Sequence, residues 1–319
     1  MPIEEAVGHI ASYNVVDANG RRLLRKGTRV TQAHLEWLRK IGQCAIDVAV
    51  LAADDLDEEV AALQLAKALQ TPALEMHPGV GGRVNLYAAA LGVVYVADER
   101  LFALNELPGV TLATVAQHAV VQTIKQQVAT VKILPFAIAQ SVIKEAVMLI
   151  GQSPPLIDLR PVKLKAVSLL IVGQPAAHAK LRAQFERAVM QRLELLGSTL
   201  HQVETVAHDE ATVANAASAL LAQGDMLIVA GQTSINDADA LVLNGLRQAG
   251  AYIEHFGAPV DPGNLLALAY VGSKPILCAP GCIRSPAKNV VDLVLPRLLV
   301  GERLTRRDIA RLGLGGVLG

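Results

Sequence analysis

From residue 167 onward the apolar positions change period at regular intervals. Residues 167–172 (VSLLIV) form an unbroken apolar run that stops at Gly173, the pattern of a strand buried on both faces. Leu181, Phe185, Val189, Leu193 and Leu196 then recur every three or four residues, which predicts the buried face of a helix ending at Gly197. Residues 199–206 read as a second strand, and Asp209 is placed to cap a helix that runs to about Gly224. A third strand is expected at 226–230 (MLIVA), a helix at 238–249, and further strands at 252–256 and 275–279. Ser285-Pro286 reads as an N-cap followed by proline at the first helical position, opening a helix towards Leu299. Strands alternating with helices predict a three-layer α/β domain, a largely parallel sheet with helices on both faces.

Before residue 151 the spacing is less regular. Asp17-Ala18-Asn19-Gly20 is a turn, Thr31 caps a helix through Leu38, and residues 58–69 read as helical. Residues 84–97 are expected as a helix running into the strand GVVYVA, 111–127 as a helix and 128–136 as a strand. This is an α+β pattern. Proline density rises over 151–162 (GQSPPLIDLRPV), which divides the chain into an N-terminal domain at 1–155, the α/β domain at 160–302 and a tail at 303–319.

Composition narrows the chemistry. Apolar residues make up 52% but aromatics only 3%, so the core is built from Ala, Val, Leu and Ile. Lys plus Arg and Asp plus Glu both number 29, so no net field favours nucleic acid or an anionic membrane. An anion must therefore be held by local geometry. The start, MPIEEAVGHI, lacks a secretion pattern, no stretch reads as a membrane span, and three cysteines form no disulfide framework; a cytoplasmic protein is expected. Cys278 and Cys282 lack companions for a metal, and His201, His208 and His255 show no ligand spacing, so no metal is assigned.

In a parallel sheet, ligands bind outside the carboxyl ends of the strands. Three loops in such positions carry suggestive residues. The first is 230–239, AGQTSINDAD, where Gly231 lets backbone approach a ligand and Thr233 and Ser234 offer hydroxyls. The same loop holds Gln232 and Asn236, and Asp237 and Asp239 fall in the expected first helical turn; Ser234 or Asp237 capping that helix, with nothing bound, explains the loop equally well. The second is 258–264, APVDPGN, with Asp261, Pro262, Gly263 and Asn264. The third is 279–286, APGCIRSP, where Pro280 and Gly281 make a tight turn ahead of Arg284, placed to meet a phosphate, and Ser285.

Taken in order, these loops resemble the signature loops of the molybdopterin-binding domain shared by molybdopterin adenylyltransferases, molybdopterin molybdotransferases and gephyrin-like proteins. That family's first loop runs Ser/Thr-Gly-Gly-x-Ser/Gly with an Asp shortly after, matched by Gly231, Ser234 and Asp239. Its Pro-Gly-Lys-Pro loop is matched by Pro262 and Gly263, and its Leu-Pro-Gly-Asn-Pro loop by Pro280 and Gly281. Phrases such as PIEEAVGHI, GRVNLYAAALGVVYVAD and RDIARLGLGGVLG resemble a subset of bacterial molybdotransferase-related proteins, extending the likeness over most of the chain.

The resemblance implies a molybdopterin or molybdenum-cofactor binding protein acting in cofactor biosynthesis or handling. Asp239 would be the carboxylate available to chemistry, a metal or a pterin N–H. The departures bear on activity. Where molybdotransferases carry an acid after the first-strand glycine, Gly173 is followed by Gln174; Asn264 replaces a lysine and Gln232 a glycine. An active molybdotransferase or adenylyltransferase, with magnesium as a further cofactor, remains an alternative, as does a nucleotide pyrophosphatase-like enzyme on the same domain. The expected partners are a small-molecule pterin, further copies of the chain, and a molybdoenzyme or its maturation factor. Arg83, Asn85 and Lys132 are candidates to reach a ligand from the N-terminal half.

Overall fold

A computed structural model describes residues 1–232 and 240–318. The chain divides into two compact units, the first comprising Met1–Ala89, Val94–Ala119 and Ile124–Leu159, the second Ala90–Val93, Val120–Thr123 and Arg160–Gly319.

In the first unit, helix α1 (Gln32–Lys40) starts from a capping box in which Thr31 and His34 exchange hydrogen bonds, and it buries Leu35 and Leu38. These meet Ile3, Ala6, Leu24, Val30 and Ile46 in a small core. Helix α2 (Glu58–Leu69) starts where the Asp57 carboxylate accepts from Glu59 N, and buries Ala61, Ala62, Leu65, Ala66 and Leu69. It packs on an antiparallel sheet of β1 (Leu74–Pro78), β2 (Arg83–Ala88), β3 (Val110–Thr114) and β4 (Gln127–Ile133), in the order β1-β2-β4-β3, and on helix α4 (Gln140–Ile150); α3 (Asp98–Glu106) lies against β3.

Two stretches expected as helix hold strands instead. The helix expected to open 84–97 is replaced by β2, while the strand expected at GVVYVA forms at Gly92–Val96; residues 111–127 supply most of β3 and the short strand Val120–Val121. Along β2, Val84, Leu86 and Ala88 are buried while Arg83, Asn85 and Tyr87 are not, a period of two that the alanine-rich continuation disguises. Gly92 runs so close to backbone that an added Cβ would lie 2.0 Å from Arg160 O.

The second unit is the α/β domain. Its elements run β5 (Ala166–Val172), α5 (His178–Glu194), β6 (Thr199–Val206), α6 (Glu210–Gln223), β7 (Met226–Gly231), α7 (Leu241–Gln248), β8 (Tyr252–Phe256), β9 (Ala267–Val271), β10 (Lys274–Cys278), α8 (Val290–Leu299) and α9 (Arg306–Arg311). The sheet order is β6-β5-β7-β10-β9-β8. The first three pairings are parallel, and β9 and β8 join antiparallel.

Leu170, Val172, Leu227, Val229, Ile276 and Cys278 share one cluster with Val213, Ala217 and Leu220 of α6 and Leu243 and Leu246 of α7. The alternate residues Leu169, Ile171, Ile228 and Leu277 are fully buried and point to the opposite face. There α5 packs on β5 and β6.

Three boundaries differ from expectation. Helix α7 begins at Leu241, its N-cap Ala240 being extended (φ −56, ψ 144) with no side-chain cap, and residues 238–239 of the expected helix lie outside the described residues. Helix α8 begins at Val290, five residues after Ser285, with Asn289 as its N-cap. Strand β9 lies between the two strands read as closing the series. Residues after 302 belong to the second unit: Leu304 and Ile309 are buried, and Tyr270 Oη donates to Leu304 O at 3.0 Å. Among the described residues no helix is long and apolar enough to cross a membrane.

Candidate functional site

The strand registers bring several loops to one edge of the six-stranded sheet. Parallel pairing aligns Val172 with Gly231 and Val229 with Cys278. Antiparallel pairing sets Ala267 opposite Cys278 and Phe256 opposite Ala267. The chain leaving β5, β7 and β10, and the link from β8 to β9, therefore share this end. Gly231 ends β7 at this edge, and Gly173, Gln232, Asp261, Pro262, Gly263, Asn264, Pro280 and Gly281 sit on these links.

One amide side chain ties the ends of β5 and β7. Gln232 N donates to Val172 O at 2.9 Å, and Gln232 Oε1 accepts from Gln174 N at 3.0 Å. Gly173 N donates to Val206 O at 3.0 Å, and a Cβ at Gly173 would lie 2.6 Å from Leu181 Cδ1. A side chain at this position would displace the end of the Leu181 side chain of α5. Thr233, Ser234, Asn236, Asp237 and Asp239 lie outside the described residues.

The second loop is held by backbone. Ala258 N donates to Asn264 O at 2.8 Å, Asp261 N to Gly316 O at 2.8 Å, and Leu318 N to Asp261 O at 2.9 Å. The Asp261 and Asn264 side chains are exposed, while Gly263 is buried at φ +138 with Val290 Cγ1 only 2.3 Å from where a Cβ would stand. Val290 N donates to Pro262 O at 3.1 Å, so the first N–H of α8 is already taken and offers nothing to an anion.

In the third loop Pro280 is buried and Gly281–Arg284 makes a turn of 3-10 helix. Ser285 does not cap α8; its Oγ accepts from Ala287 N at 3.1 Å. The cap is Asn289, fully buried, whose Oδ1 accepts from Val291 N at 3.0 Å and whose Nδ2 donates to Ala287 O at 3.0 Å and Cys282 O at 3.3 Å. Arg192 of α5 holds the turn from below, donating to Ile283 O at 3.0 Å and Ser285 O at 2.9 Å. Sequence reasoning missed Arg192, Asn289 and Asp292. Asn289 followed three residues later by Asp292 is a capping-box spacing that could have been found; the reach of Arg192 could not.

Of the candidates in the first half, Lys132 Nζ donates to Glu58 Oε2 at 3.3 Å and to Gly81 O, and Asn85 Oδ1 accepts from Thr130 Oγ1 at 2.5 Å. These contacts lie within the first unit.

No protein-family model and no curated protein matches the chain. Solved structures that it resembles include a CinA protein from Thermoplasma acidophilum, at 14% identity over 38% of this chain and 90% of that one, with a TM-score of 0.33. A molybdopterin biosynthesis MoeA protein from Pyrococcus horikoshii matches at 13% identity over 94% and 74%, TM-score 0.34. A molybdopterin biosynthesis Mog protein from Mycobacterium ulcerans matches at 18% identity over 42% and 92%, TM-score 0.27.

The edge presents amides, one carboxylate and one guanidinium: Gln174, Gln232, Asn264, Asp261 and Arg284 are all exposed. Among the described residues no group of three or more His, Cys, Asp or Glu side chains could hold a metal ion. Such a surface is suited to hydrogen bonding a polar heterocycle and an anion.

Proposed function

We propose that this chain binds molybdopterin, or the molybdenum cofactor made from it, at the β5–β7–β10 edge, and that it acts in cofactor biosynthesis or handling by binding rather than transfer. The observation that carries the reading is the register that sets Val172 beside Gly231, Val229 beside Cys278 and Cys278 beside Ala267. It gathers at one edge the turns whose sequences resemble pterin-binding loops, and ligands of parallel sheets bind at that kind of edge. Gly231 and Gln232, with Thr233, Ser234 and Asn236, would meet the polar edge of the pterin ring. Asp261, Asn264, Arg284 and Ser285 would close the other side around the turns at Gly263 and Gly281.

Transfer chemistry is not part of the proposal. Gln174 and Asn264 are uncharged where the resembled transferases have an acid and a lysine, so a developing oxyanion or a metal would find less support. Magnesium belongs to that alternative alone. A homo-oligomer with a molybdoenzyme or a maturation factor as recipient completes the reading. The test is to incubate the full chain with the pterin, desalt it, and oxidise what is retained to a fluorescent product. Retention near one pterin per chain, without molybdate insertion, is expected. Absence of retention, or turnover with molybdate or with magnesium and ATP, would overturn it.

A further inference from the structure

The second unit has a cleft of about 470 Å³ lined by Ala183, Gln184, Arg187 and Arg284. On α5, Arg187 lies three residues from Gln184 and four from Ala183 and so neighbours both, and the small Ala183 leaves the space open. Arg284 enters from the turn that follows β10. Its Nε donates to Gly281 O at 3.2 Å and its guanidinium carbon lies 5.5 Å from the centre of the Phe185 ring. The stem is held by these contacts, and its terminal nitrogens have no acceptor among the described residues.

Nearby carboxylates are engaged elsewhere. Glu186 pairs with Arg182 at 3.1 Å and Asp292 with Arg192 at 2.8 Å. Among the described residues neither Arg187 nor Arg284 has a carboxylate within ion-pair distance, in a chain of zero formal charge. Two guanidinium groups lining one cleft without a counter-charge repel each other, and an anion between them relieves that repulsion. A phosphoryl group fits best: its oxygens match the planar forks of two arginines, and the Gln184 amide adds a donor.

We propose that this cleft is a phosphoryl-binding subsite with Arg187, Arg284 and Gln184 as its donors, and that it receives the terminal phosphate of the bound pterin. The identity of the phosphate's carrier rests on the function proposed above; the anion site rests on the cleft alone. The probes are inorganic pyrophosphate and the pterin, each titrated into the full chain by calorimetry, with phosphorus NMR for weak binding. Arg187→Ala and Arg284→Ala should each weaken pyrophosphate about tenfold to a hundredfold, the range of a lost charge-assisted hydrogen bond. Lys180→Ala, on the same helix but outside the cleft, should change it less than about twofold, the scale of an exposed and screened charge. Pyrophosphate should compete with the pterin. Unchanged affinity in both arginine variants at parental melting temperature, or an equal loss in Lys180→Ala, overturns the subsite. Simultaneous binding of pyrophosphate and pterin overturns the assignment of the phosphate to the pterin. If the pterin fails to bind but pyrophosphate binds through the arginines, the functional reading fails and the subsite stands. If the pterin binds and the arginine variants leave both affinities unchanged, the reverse holds.

Discussion

Asp292 serves Arg192 and the start of α8 at once: its Oδ1 accepts from Arg192 Nε at 2.8 Å and its Oδ2 from Asn289 N at 2.9 Å. Arg192 is nearly buried, with 9% of its side chain exposed, and its remaining donors take the carbonyls of Ala188, Ile283 and Ser285. A pair of residues far apart in sequence thus fixes the turn that carries Arg284 against α5.

Removing Arg192 should therefore cost much more than an exposed ion pair. Arg192→Ala strands Asp292 and two turn carbonyls, and a loss of about 3–5 kcal/mol in unfolding free energy is expected by urea denaturation. A change below about 1 kcal/mol, the scale of a surface pair, would show that the turn is held by something else.

Gly263 should tolerate no side chain. With φ +138 and Val290 at 2.3 Å from a built Cβ, Gly263→Ala combines backbone strain with overpacking, and a loss of about 2–4 kcal/mol follows. Gly250→Ala is the control: its φ of +84 is strained, but nothing lies within 4 Å, so about 1 kcal/mol is expected. Equal losses in thermal melts would contradict the close approach at Gly263.

The three thiols should react in a set order. Cys44 is exposed, Cys282 is half-buried with its thiol pushed up by burial, and Cys278 is fully buried at the end of β10 with its thiol pushed up to about 12. A neutral thiol is a poor nucleophile. Disulfide-exchange reagents should modify Cys44 fast, Cys282 slowly and Cys278 only on unfolding; prompt modification of Cys278 in native protein would contradict its burial.

Asp225 links acid stability to the entry of β5. Its Oδ2 accepts from Ala166 N and Lys165 N, both at 2.9 Å. The Ala166 hydrogen bond is the largest influence on its carboxyl; partial burial opposes it, and the Lys165 bond and the charge of Lys274 add to it, holding the pKa below the ordinary 3.8. A depressed acid stabilises the fold fully above its unfolded value, and that contribution fades as pH falls through the folded one. Asp225→Asn should therefore be less stable than the parent at neutral pH, with the gap closing below about pH 4. A gap that stays constant down to pH 2 would remove the charge from the account.

The parts of this fold that can be read in sequence are those whose burial is two-sided or whose caps are local. VSLLIV and MLIVA are strands because parallel strands in the middle of a sheet hide both faces, and Asp209 caps α6 by accepting from Thr212 N at 2.9 Å. What stayed hidden depends on distant partners. β2 is a strand because β1 and β4 pair with it, whereas its alanine-rich flank favours helix. The Ser285-Pro286 and Asn289-Val290-Val291-Asp292 signals compete for the start of α8; Asn289 prevails because Asp292 completes its capping box while Arg192 holds the Ser285 carbonyl. In the site, the positions of the turns were legible from their glycines and prolines. The Gln174–Gln232 tie and the paired arginines of the cleft were not, since each needs a tertiary contact.

Pterin binding at the shared ends of β5, β7 and β10 can be measured by calorimetric titration of the pterin into the parent chain and into Ser234→Asp, with circular dichroism confirming an intact fold. Saturable binding by the parent and a loss of at least tenfold in the variant are expected, because the new carboxylate puts a negative charge against an anionic ligand at this edge. Binding by Ser234→Asp as tight as that of the parent, or no binding by the parent at all, would contradict binding at this edge.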